Sequence, residues 1–110
     1  MEIKTRDEND IKVIYLEGEM DTNTSPEVLS ELDNLRNNGV KKMLLNLEKL
    51  DFISSAGLRV LLATAQQLKA SGGDFRVCQL NKEIKEVFDI SGFSTLLMVF
   101  DNETKGISGM

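Results

Sequence analysis

What most constrains this chain is a five-residue apolar run, Met43-Leu44-Leu45-Asn46-Leu47, followed by a helical stripe and then a second strand-like run. A strand that is apolar at nearly every position needs cover on both faces, as the central strands of parallel sheets have. The stripe Leu58, Leu61, Leu62, Ala65 and Leu68 has helical spacing and is apolar over most of the helix circumference. Residues from Phe75 to Leu80 read as the next strand. Strand, then a helix of about ten residues or more, then strand implies a right-handed crossover between parallel neighbours.

The rest of the chain fits around that unit. Residues from Glu2 to Thr5 predict a short strand, the polar run Arg6 to Asp10 a turn, and Ile11 to Glu17 a strand covered on both faces. Gly18 to Thr24 reads as a polar loop. Ser25 before Pro26 resembles a helix cap with proline at the first helical position, and Thr24 with Glu27 has capping-box spacing one residue earlier. Val28, Leu29, Leu32 and Leu35 follow at helical spacing, with Gly39 ending the helix. Ser71-Gly72-Gly73 stops the second helix. Asn81 caps a third that carries Ile84, Val87, Phe88 and Ile90. A last strand over Leu96 to Phe100 leads to Asp101, which caps a final helix or begins a frayed tail ending at Met110. There is no repeat or linker, and only the two ends read as loose. The expectation is one α/β domain over residues 1–110: a mixed sheet of four to five strands flanked by about four helices.

Composition removes whole classes of function. With 13 basic against 18 acidic residues, the net charge is −5, the wrong sign for capturing nucleic acid. Aromatics are 5% of a chain that is 41% apolar, so the core is aliphatic. No run is apolar enough to span a membrane, and Met-Glu-Ile-Lys-Thr-Arg does not open a signal peptide. A cytoplasmic protein without membrane contact is expected. There is no histidine, and Cys78 is the only cysteine. A Ser-His-Asp hydrolase within the chain is thereby excluded; no zinc site, calcium loop, P-loop or other cofactor site is expected, and the chain does not read as an enzyme.

Chemistry concentrates between Asp51 and Leu62, where adjacent hydroxyls stand at the entry to the apolar helix. A hydroxyl there can cap the helix, act as a nucleophile or accept a phosphoryl group. Loops leaving the carboxyl ends of parallel strands converge, so Gly18 to Ser25 and Leu50 to Ala56 are expected to share one edge. Asp21, Thr22, Asn23, Thr24, Ser54 and Ser55 would then form one polar patch at two helix starts, where the helix dipole favours negative charge. The ordinary reading of the serines is helix capping, and of the first loop a solvated turn. Gly57 costs about 1 kcal/mol relative to alanine in a helix, which points to close approach by another segment or a partner. Met20 is expected to be exposed, as adaptable binding surfaces use methionine.

Residues Leu44 to Leu62 closely resemble the phosphorylation segment of bacterial anti-sigma factor antagonists, the single-domain members of the STAS superfamily. Gly18-Glu19-Met20-Asp21 resembles a second family motif. Phe75-Arg76-Val77-Cys78, with Val87-Phe88-Asp89-Ile90-Ser91-Gly92-Phe93, resembles a third. The resemblance implies a mixed sheet flanked by helices and a partner-switching mechanism. The unmodified antagonist binds an anti-sigma factor serine kinase and frees the sigma factor; phosphorylation ends the complex, and a phosphoserine phosphatase resets it. The implied acceptor is Ser55, with Ser54 as the rival. Asp21 matches the loop acid associated with partner contact. The contact set expected is Asp21, Thr22, Asn23, Thr24, Ser54, Ser55, Ala56 and Gly57. This chain departs from the usual motif at Ser54, where many members carry Asp, and at Ala56, where many carry Ser or Thr. Two further readings remain open at this point: an accessory STAS module of another signalling or transport complex, and a small-ligand or nucleotide binder.

Overall fold

Residues 1–110 are all described in the structure, a computed structural model. A tight turn at Asn9-Asp10 organises the start. Asn9 lies at φ 57, in the left-handed region that asparagine tolerates. It folds β1 (Glu2–Glu8) back on β2 (Ile11–Met20), antiparallel from Glu2↔Glu17 to Glu8↔Ile11. The polar run expected as a turn is therefore strand as far as Glu8. Its charges suit an edge strand, where one side faces water.

Next come α1 (Ser25–Asn37), β3 (Lys42–Asn46), β4 (Leu50–Ile53), α2 (Ser55–Ala70), β5 (Asp74–Cys78) and α3 (Lys82–Ser91). A 3₁₀ turn at Phe93–Thr95, β6 (Met98–Phe100) and α4 (Glu103–Ile107) complete the chain. The sheet runs β1-β2-β3-β5-β6, and all its pairings after the first are parallel. β4 pairs with the far end of β2, Met20 opposite Ile53. The sheet has six strands, not the four or five expected. The additional strand, Leu50-Asp51-Phe52-Ile53, is too short to show a period. The pairing shifts register at Gly18, whose φ of 108 accommodates the irregularity and lets β2 continue to Met20. Met20 is consequently fully buried rather than exposed.

Alternation along the strands divides the core. Ile14 and Leu16 of β2, Met43 and Leu45 of β3, and Phe75 and Val77 of β5 face the main cluster. Val28 and Leu32 of α1, Leu58, Leu61 and Leu68 of α2, and Ile84 and Phe88 of α3 close that cluster. The intervening residues Ile11, Val13, Leu44 and Cys78 form a second, smaller cluster with Tyr15, Phe100, Ile107 and Met110 packed against it. Burial pushes the Cys78 thiol up to about 12, with the charge of Glu103 adding to the effect.

The helix over this second face is α4. Asn102, not Asp101, caps it, accepting from the Lys105 N–H at 2.9 Å. Glu103 accepts from Arg6 Nη2 at 2.6 Å, Asn46 Nδ2 at 2.6 Å and the Tyr15 hydroxyl at 2.9 Å. Neither end of the chain is loose: β1 is paired along its length, and the carbonyls of Gly106 and Ser108 are held by Arg76 at 3.1 and 2.7 Å.

Two predictions follow from this packing. Leu45→Ala removes a fully buried side chain, and urea denaturation should show a loss of about 2–5 kcal/mol. The second concerns pH. Burial raises the Glu103 carboxyl, but hydrogen bonds from Arg6, Asn46 and Tyr15 outweigh it and hold the group below its ordinary value of 4.5. As pH falls, the unfolded chain therefore takes up this proton before the native one does. The stabilisation is complete above the ordinary value and disappears as pH drops through the native value. The Tm should stay level from about pH 7 to about pH 5 and fall below about pH 4.5, with a shallower acid decline in Glu103→Gln.

Candidate functional site

The end-to-end pairing of β2 and β4 brings the two expected loops together. Ser54 N–H donates to the Met20 carbonyl at 2.9 Å, tying the start of α2 to the end of β2. In the first loop, one oxygen of Asp21 accepts from the Asn23 and Thr24 N–H groups, each at 2.9 Å. The Thr24 N–H bond is the leading reason that the Asp21 carboxyl lies below its usual range, so it is charged at neutral pH. The Thr24 hydroxyl accepts from Asp21 N–H at 2.9 Å and donates to the Glu19 carbonyl at 2.7 Å.

Capping at α1 differs from the expectation. Thr24 holds the N-cap position without a side-chain cap bond, because its hydroxyl is spent inside the loop. Ser25 is the first residue of α1, buried, with its hydroxyl donating to the Asp21 carbonyl. The loop is thus an ordered turn that presents Thr22 and Asn23 to solvent.

The two serines of the second loop have different tasks. Ser54 is the N-cap of α2, and its hydroxyl oxygen accepts from Gly57 N–H at 3.2 Å. Ser55 is the first helical residue and is exposed, and its hydroxyl makes no hydrogen bond within the chain. The first turn of α2 carries no acid, whereas α1, α3 and α4 each have a glutamate there. The dipole at the start of α2 is left without a compensating charge from its own first turn, an electrostatic setting that favours an added anion.

Gly57 belongs to the scaffold. A Cβ on it would stand 2.8 Å from Ile53 Cγ1, 3.0 Å from Met20 Cγ and 3.1 Å from the Met20 carbonyl oxygen. The close approach implied by a glycine in this turn is made by the chain's own β2 and β4. Gly57 is buried, so of the expected contact set it is the member that lies beneath the surface rather than on it.

Beside the patch, α1 and α2 leave an open apolar depression of about 370 Å³, lined by Thr22, Pro26, Leu29, Ala56, Arg59 and Ala63 among others. Pro26, Leu29, Arg59 and Ala63 were not apparent from the sequence. Leu29 reads as part of the helix stripe, and only knowledge of how α1 lies on α2 places it at the rim. No cluster of three or more His, Cys, Asp or Glu side chains is arranged to hold a metal ion. No helix is long and apolar enough to cross a membrane.

The pattern that defines the STAS domain matches residues 2–106, nearly its whole length. The chain belongs to the STAS domain family. A protein described as a candidate anti-sigma factor antagonist, BtrV of Bordetella bronchiseptica, is 37% identical over 87 residues, covering 79% of this chain and 75% of that one. The anti-sigma F factor antagonist of Paenibacillus polymyxa is 27% identical, with 98% and 93% covered. Among solved STAS folds, an anti-sigma factor antagonist from Mycobacterium paratuberculosis superposes with a TM-score of 0.89 at 18% identity, covering 97% and 91% of the two chains. The six-stranded mixed sheet with four helices is thus a STAS fold.

The division of labour between the serines can be measured by denaturant unfolding. Ser54→Ala should cost about 1 kcal/mol by removing the cap, whereas Ser55→Ala should stay within about 0.5 kcal/mol. Gly57→Ala should cost about 1–3 kcal/mol, because the methyl group is forced against Met20 and Ile53.

Proposed function

We propose that this STAS domain is an anti-sigma factor antagonist that works in the cytoplasm by partner switching. In this reading the unmodified protein binds an anti-sigma factor serine kinase and thereby releases the sigma factor. Phosphorylation on Ser55 ends the complex, and a phosphoserine phosphatase restores it. The chain is then a binding module that an enzyme modifies, not an enzyme.

One observation carries the choice of acceptor: Ser55 is exposed with an uncommitted hydroxyl, while the hydroxyl of Ser54 is engaged in capping α2. Transfer of the γ-phosphoryl group of ATP to the Ser55 oxygen would leave about −1.5 to −2 charges at that position. The start of α2 tolerates this charge, having no acid of its own in the first turn. A protein docked over the same spot would have to bury it next to the already ionised Asp21 loop. Fold retention and loss of the complex therefore follow from the same added group. The names carried by BtrV of Bordetella bronchiseptica and by the Paenibacillus polymyxa relative support the sigma-factor assignment. The contact surface proposed comprises Asp21, Thr22, Asn23, Thr24, Ser54, Ser55 and Ala56, extended by the rim of the α1–α2 depression.

The decisive experiment combines the protein with its anti-sigma factor kinase and ATP, followed by phosphopeptide mapping and binding measurements. Label is expected on Ser55. Ser55→Ala should bind like the unmodified protein and take no label, and Ser55→Glu should bind at least about tenfold more weakly, or about 1.4 kcal/mol. Label on Ser54 alone, or full-strength binding after Ser55 is modified, would overturn this mechanism.

A further inference from the structure

The two faces of the sheet are held by different kinds of interaction. On the main face, each of α1, α2 and α3 inserts at least two fully or nearly fully buried side chains. On the second face α4 spans only five residues, and its one buried residue is Gly106, which has no side chain. Gly106 lies so close to the sheet that a Cβ would be 2.8 Å from Leu44 Cδ1. Ile107 and Met110 are only partly buried.

Polar groups supply the remaining attachment at two points. The first is Glu103, gripped by Arg6, Tyr15 and Asn46 from three different strands. A polar cavity of about 180 Å³, bordered by Tyr15, Glu17, Asn46, Glu48, Lys49 and Glu103, opens beside this point. The second is Arg76 of β5. Its guanidinium donates to the carbonyls of Gly106, Ser108 and Gly109, pairs with Asp74 at 3.0 Å, and lies 5.1 Å from the centroid of the Phe100 ring. Water can replace much of what polar ties lose on separation, but it cannot replace the burial of apolar side chains. Segments with few buried apolar contacts are the ones that open ahead of global unfolding.

We propose that residues 101–110 form a strap, fastened by Glu103 and Arg76, that lifts from the sheet as a unit while the rest of the domain stays folded. Lifting uncovers Val13, Leu44 and the Cys78 sulfur, all fully buried when the strap is closed. α4 packs on β3, β5 and β6, on the sheet face opposite α2. Strap opening and partner binding at Ser55 are therefore separate properties, and either can fail without the other.

The test is labelling of Cys78 by 5,5′-dithiobis(2-nitrobenzoate) in native buffer and in increasing low concentrations of urea. The intact protein should label faster than its measured global unfolding rate allows, with a weaker urea dependence than global unfolding shows. Glu103→Gln and Gly106→Ala should each speed labelling by about tenfold or more, whereas Leu61→Ala, on the main face, should lower the main unfolding transition without speeding labelling in native buffer. Hydrogen exchange gives an independent reading: the Gly106 and Ser108 amides, bonded to Asn102 and Thr104 carbonyls, should exchange well before those of Leu58 to Leu68. Labelling at the global unfolding rate with the same urea dependence, or equal protection of α4 and α2 amides, would overturn the proposal.

Discussion

The parallel contact between the last residues of β2 and β4 sets the functional end of this molecule. Met20 faces Ile53 in that register, and the Ser54 amide reaches back to the Met20 carbonyl. Gly57 seats α2 on the same two residues, at a distance no side chain larger than hydrogen would allow. A loop from residues 21–24 and a helix start at residues 54–56 thereby become one surface, although some thirty residues separate them along the chain. The bulge at Gly18 makes this possible, since without it β2 would not continue in register with β4.

On this foundation the chemistry is local. The Asp21 carboxylate is occupied in shaping its own loop, and Ser54 in capping its own helix. What remains uncommitted is the Ser55 hydroxyl and the positive end of α2. The Ser55 hydroxyl has no hydrogen-bond partner within the chain. An exposed hydroxyl of this kind fits the proposed role of acceptor for a group delivered by another protein.

Much of this was legible in the sequence because it is encoded locally. The apolar runs at Met43–Leu47 and Phe75–Leu80, the helical stripe from Leu58 to Leu68, the Asn81 cap and the stop at Ser71-Gly72-Gly73 all depend on near neighbours. The features that escaped depend on distant ones. β1 extends through Arg6 and Glu8 because those charges lie on an edge strand, and Arg6 meets Glu103 from ninety-seven residues away. Met20 reads as a loop residue until β4, too short to announce itself, pairs with it. Asp101 and Asn102 are equally plausible caps by type, and packing of α4 on the sheet selects the second. The serines at 54 and 55 are alike in local chemistry, and in the sequence only the family resemblance favours Ser55 as acceptor; the geometry of the helix start, which gives Ser54 extended angles of φ −87 and ψ 173, separates the one that caps from the one left free.

The vacant first turn of α2 has a consequence for turnover. A charged group added at Ser55, as proposed, would fasten the start of that helix rather than loosen it, so the modified molecule would be at least as resistant to proteases as the unmodified one. A cell could then cycle one standing pool of the protein between two states without resynthesis. In the proposed switch the message would be carried by surface charge at the start of α2.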